Sequence, residues 1–151
     1  MHRIPVTQIM QSAVITVRPE ELAADAAEVM EENHIRRLPV VDDDGCLVGI
    51  VTDANILEAE TAGSVLSSYE PDVQTKWLTV ADIMTRDVVT IDNDATVGQL
   101  AMQLMEHKVG GVPVVTEDET HCNRQRITGI VTETDIFRMI AEAWQAEQAQ
   151  S

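Results

Sequence analysis

Aromatic side chains are almost missing from this chain: one Phe, one Tyr and two Trp make up 3% of it. A core must therefore be aliphatic, and there is no aromatic platform on which nucleic-acid bases could stack. Basic residues are scarce too, ten Lys and Arg against 26 Asp and Glu, for a formal charge of −16. A polyanion repels phosphate backbones and disfavours nucleic-acid binding. The two cysteines, Cys46 and Cys122, lie far apart with no C-x-x-C spacing, so no zinc or redox pair is indicated and both are expected to be free thiols. No apolar run approaches the ~18–20 residues of a membrane span. The start, Met1-His2-Arg3-Ile4-Pro5, lacks the apolar stretch of a signal peptide. A cytoplasmic location is the expectation. No Ser-His-Asp set, P-loop, dinucleotide glycine fingerprint or metal-ligand spacing occurs, so an enzyme is not expected.

What is present is a phrase said twice. Pro39-Val40-Val41 followed by Gly49-Ile50-Val51-Thr52 returns as Pro113-Val114-Val115 and Gly129-Ile130-Val131-Thr132. Ile9-Met10 matches Ile83-Met84 at a shift of 74 (83 minus 9), which also pairs Val6 with Val80 and Val14 with Val88. The Gly-Ile-Val-Thr phrases pair at a shift of 80 (129 minus 49), so the second copy carries six extra residues within 116–128. That polar stretch is expected to be a longer hairpin loop. A duplicated unit of this size must be read as a unit before any single residue is interpreted.

Local signals give each copy one order of elements. Pro5 opens a short helical turn over residues 6–10, and the β-branched Val14-Ile15-Thr16-Val17 predicts a buried strand. Pro19-Glu20-Glu21 predicts a helix start with acidic side chains at its positive end. Leu22, Ala26, Val29 and Met30 then recur at helical spacing. Residues 38–42 and 47–51 predict a hairpin around Asp43-Asp44-Gly45, and Thr52 begins a second helix. In the second copy the turn falls at 80–84, the strand at 88–91 and the Thr96-capped helix after it. A hairpin of 112–115 with 126–131 comes next, then a last helix from Glu133 to about Gln148. Its Ile136, Phe137, Met139, Ile140, Ala143 and Trp144 form a stripe wide enough either to cover its own sheet or to meet another subunit. The domain expectation is a first repeat over 1–61, a partly helical connector over 62–79 and a second repeat over 80–148.

This order, with Pro-Val-Val and then Gly-Ile-Val-Thr before a helix in each copy, resembles a tandem pair of CBS domains, or Bateman module. The resemblance covers about residues 4–57 and 78–141. It implies a mixed α/β (α+β) fold of two β-α-β-β-α repeats related by a pseudo-twofold axis. It also implies clefts between the repeats that take adenosine-containing ligands: AMP, ADP, ATP, S-adenosylmethionine or sometimes NAD. No catalytic residue, metal or obligatory cofactor is implied. The resemblance thus leads to the expectation of a stand-alone, homodimeric regulatory module that signals to a separate protein. The alternative is an interaction module whose clefts no longer bind nucleotide.

In the family the residue three after the phrase's Thr is usually an Asp that holds the ribose hydroxyls. Thr132 and Asp135 fit that pattern. An ionised carboxylate offers only acceptors and can take both hydroxyl protons of a ribose; the same spacing is also a capping box that needs no ligand. The first copy departs, with Thr52 followed by Asn55, and Asn has a single acceptor oxygen. Arg36 and Arg37 precede the first Pro-Val-Val strand where Gly110 and Gly111 precede the second. In relatives such positions border the clefts. Arginine suits phosphate, glycine permits close backbone approach, and two exposed arginines could equally pair with the chain's own carboxylates. Val14 and Val88 are expected to line the adenine slots.

Overall fold

The structure is a computed structural model that describes residues 1–66, 77–118 and 124–150. A 3-10 turn, Val6–Gln8, is followed by α1 (Ala23–Asn33), β1 (Arg37–Val41), β2 (Leu47–Thr52) and α2 (Asp53–Leu66). Then come α3 (Val80–Ile83), β3 (Ile91–Asp92), α4 (Val97–His107), β4 (Gly111–Asp118), β5 (Arg124–Thr132) and α5 (Glu133–Ala149). Among the described residues no helix is long and apolar enough to cross a membrane.

The chain forms two compact units that are not contiguous in sequence. The Asp135 unit combines Met1–Val14 with Val89–Asp118 and the stretch from Gln125 onward, whereas the Asn55 unit is built on Ile15–Val88. Each unit thus borrows its first turn from the other copy of the sequence repeat. In the Asp135 unit the Val6 amide donates to the Ala95 carbonyl at 2.9 Å and the Val97 amide to Ile4 at 2.8 Å. The Asn55 unit has the same pair: Val80 to Glu21 and Ala23 to Leu78, both at 2.8 Å.

The cores match position by position. Val6, Ile91, Leu100, Leu104, Val112, Val114 and Val131 fill the Asp135 unit. Val80, Val17, Ala26, Met30, Leu38, Val40 and Val51 fill the Asn55 unit. Every member is aliphatic, as the scarcity of aromatics requires. Each Gly-Ile-Val-Thr glycine has a packing reason, since a Cβ on Gly129 would sit 2.5 Å from the Met10 sulfur and one on Gly49 2.6 Å from that of Met84.

In the Asn55 unit β1 and β2 pair antiparallel, with an irregularity at Val40/Val41; in the Asp135 unit β4 and β5 do the same, with the irregularity at Val114/Val115. Gly45 takes φ 82° in the first hairpin's turn, where Asp42 Oδ1 accepts from the Asp44 and Cys46 amides at 2.9 Å.

Several expectations are corrected. Residues 14–17 are not a strand: a single parallel bridge joins Val17 to Val40, and Pro19, with no amide to donate, prevents its extension. In the second copy the strand is only Ile91–Asp92, parallel to β4. Helix α1 starts at Ala23 rather than near Pro19, because the Glu21 carboxylate accepts from the Arg18 amide and closes a separate turn. The expected longer loop is corrected: the six extra residues lengthen the strands, since β4 and β5 run to eight and nine residues against five and six in β1 and β2. The turn between them lies outside the described residues, as does the 67–76 part of the connector expected over 62–79. Cys46 is disulfide-bonded, not a free thiol. A disulfide depends on Cα distance in the fold, which sequence spacing does not report. Cys122, the other cysteine, lies outside the described residues.

Candidate ligand-binding site

The start of the helix after each hairpin is built the same way in both units. In the Asn55 unit Arg37 pairs with Thr52 across the hairpin, and the Arg36 carbonyl accepts from the Asp53 amide at 2.9 Å. In the Asp135 unit Gly111 pairs with Thr132, and the Gly110 carbonyl accepts from the Glu133 amide at 2.9 Å. The two residues before each Pro-Val-Val strand are therefore tied by backbone to the following helix start. The glycine pair lies with Thr132 and Asp135; the arginine pair lies with Thr52 and Asn55. Arg36 is exposed and Arg37 half-buried with its own interaction. Val14 belongs to the Asp135 unit and Val88 to the Asn55 unit, both half-buried in irregular chain.

Capping is satisfied at both helix starts. Asp135 Oδ2 accepts from the Thr132 amide at 2.9 Å and from its hydroxyl at 3.2 Å. Asn55 Oδ1 accepts from the Thr52 amide at 2.9 Å and hydroxyl at 3.1 Å. One oxygen suffices for this, so the cap alone does not require a carboxylate. The second oxygen makes the difference. Asp135 Oδ1 accepts from Gln11 Nε2 and from Arg138 Nη1, both at 3.1 Å. Among the described residues Asp135, 5% exposed, is the one buried polar or charged side chain. A buried carboxylate is costly unless paired and hydrogen-bonded, and here all of its roughly four acceptor positions are met.

Sequence alone does not single out Gln11. A signal exists all the same: it follows the matched Ile9-Met10 and is the position where the second copy has Thr85 instead. Arg138 has Glu58 as its counterpart. Of the other basic residues near these elements, Lys108 caps α4 in a left-handed conformation. Among the described residues no cluster of three metal-ligating side chains occurs.

Two repeated units, each with a capped helix start beside its hairpin, define an architecture built by duplication. The CBS domain family model matches residues 6–62 and 80–142, and the chain belongs to that family. An uncharacterized protein of Methanocaldococcus jannaschii is 35% identical over 144 residues, covering 91% of this chain. The chain spans 32%, 24% and 23% of the lengths of three curated relatives it matches. A CBS domain pair solved in complex with 5′-methylthioadenosine and S-adenosyl-L-methionine is 31% identical, with TM-score 0.74, over 92% of this chain and 97% of that one. A second solved structure, of CBSX2 in complex with AMP, is 25% identical, with TM-score 0.74, over 93% of this chain and 98% of that one.

Proposed function

We propose that the chain is a regulatory module that binds an adenosine-containing ligand, of the AMP, ADP or ATP class or S-adenosylmethionine, and reports its occupancy to a separate protein. The observation that carries this reading is the buried Asp135 carboxylate. The Asn55 unit caps its helix with a single amide oxygen, so a second, buried anionic oxygen is more than capping needs. Asp135 would accept from the ribose hydroxyls, the Thr132 hydroxyl would meet sugar or phosphate, and Gly110 and Gly111 would admit the ligand close to the backbone. Val14 would supply apolar surface to the adenine. In the other unit Thr52, Asn55 and Val88 hold the matching positions with a weaker acceptor set, and Arg36 and Arg37 offer donors suited to phosphate. The adenosine ligands of the two solved pairs support the class.

For the ligand to act as a signal it must bind two arrangements of the module with different affinity. A second copy of the chain is the proposed partner for the exposed side of α5. The competing reading is an interaction module without nucleotide, favoured by the complete internal satisfaction of Asp135. Thermal unfolding of nucleotide-free protein with AMP, ADP, ATP, S-adenosylmethionine and NAD separates them. A ligand at about 100 times its dissociation constant adds about 2.7 kcal/mol. No shift with any of the five favours the interaction module.

A further inference from the structure

Asp135 has no acceptor to spare. Oδ2 is held by the amide and hydroxyl of Thr132, and Oδ1 by Gln11 and Arg138. Each ribose hydroxyl needs a free acceptor position, so at least one of these donors must leave before a ribose hydroxyl can be held. The Thr132 bonds belong to the cap of α5 and keep the helix start in place. Arg138 makes a charge-assisted bond, of the stronger kind. Gln11 donates from a neutral amide with no charge of its own to pair, on an exposed residue that regains water when it lets go. We infer that Gln11 is a positioning residue that occupies Oδ1 in the ligand-free protein and is displaced from it by the ribose.

The main chain allows this exchange at little cost. The Gln11 amide donates to the Ile130 carbonyl at 2.8 Å and the Ile130 amide to the Gln11 carbonyl at 2.9 Å, so the backbone stays anchored to β5 while the side chain swings. The other unit has the same backbone bridge, between Thr85 and Ile50, at 2.8 and 2.9 Å. Thr85 is too short to reproduce the Gln11 contact, and among the described residues its hydroxyl makes no hydrogen bond with Asn55. Only one unit has the device, and it is the one with the carboxylate. Its effect is a selective cost: a ligand with ribose hydroxyls competes with Gln11, and one without them does not.

The inference rests on the reading of Asp135 as a ribose acceptor, and the test keeps the two apart. Dissociation constants of AMP and 2′,3′-dideoxy-AMP would be measured for wild type and for Gln11→Met, which keeps length and removes the donor. A cooperative ligand-free unfolding transition, lowered by no more than the loss of that one hydrogen bond, serves as the fold control. The expected result is that Gln11→Met binds AMP about tenfold more tightly, as for one hydrogen bond to a charged acceptor, with dideoxy-AMP unchanged. A wild type that prefers AMP, with no gain or a loss in Gln11→Met, overturns the role of Gln11 alone. A wild type that binds AMP no better than dideoxy-AMP, or binds neither, overturns the ribose reading and this inference with it.

Discussion

Two residues at the ends of the first helix of each copy show how closely the duplication is kept. His34 and Lys108 both take φ 54°, the left-handed conformation, as C-caps of α1 and α4. A side chain is disfavoured there by its Cβ, and glycine is the usual occupant. Lys108→Gly should raise stability by roughly 0.5–1 kcal/mol in urea unfolding; a loss of stability would mean that the lysine side chain itself holds the cap. Neither backbone conformation was legible in the sequence, because neither residue is the glycine that usually marks such a cap. Asp135 was legible as far as its alternatives, cap or ribose acceptor. What could not be read was that the cap uses one oxygen alone: the second is engaged by Gln11, 124 positions away in sequence.

At the level of elements, the long periodic or capped ones were legible: α4 with its Thr96–Gln99 capping box, α5, and both hairpins. Short strands were not, because one or two bridges depend on which neighbour the fold supplies. The exchange of first turns was not legible either. Register equates Val6 with Val80 but does not say in which core each one packs. Val6 is fully buried in the Asp135 unit, so Val6→Ala should cost roughly 2 kcal/mol. Hydrogen exchange should rise in α4, β4 and β5 more than in β1 and β2; the reverse pattern would contradict the exchange. The borrowed α3 carries a pH signature. Hydrogen bonds from the Thr79 amide and hydroxyl lower the pKa of the exposed Asp82 carboxyl below its ordinary 3.8. A group with a depressed folded pKa contributes stability above its unfolded pKa and loses it as pH falls through the folded one. The stability difference between wild type and Asp82→Asn should therefore be present near neutrality and shrink below about pH 4. A pH-independent difference would assign the effect to packing.

For the whole molecule, the −16 charge and the exposed apolar side chains pull in opposite directions. Ile136, Met139 and Ala143 are partly covered, whereas Phe137, Ile140 and Trp144 on α5 and Met102 and Met105 on α4 are exposed. Apolar faces of this kind mark interaction sites, while net charge opposes association and is screened by salt. Sedimentation of wild type should show a dimer that strengthens with salt, and Trp144→Glu should shift it to monomer. A wild-type monomer at high concentration and high salt would contradict that expectation.

The central claim is that Asp135 is a carboxylate for the sake of a ligand. Asp135→Asn tests it most directly, because Asn55 already shows that an Asn caps this helix start. Calorimetric titration of the most stabilising adenosine ligand into wild type and Asp135→Asn should show binding lost or weakened at least about tenfold, as expected for hydrogen bonds to a charged acceptor. In the ligand-free protein the helix cap should be kept, with stability lowered only by the loss of the Gln11 and Arg138 bonds to Oδ1. Equal affinity in both proteins would reduce Asp135 to a helix cap and contradict the account.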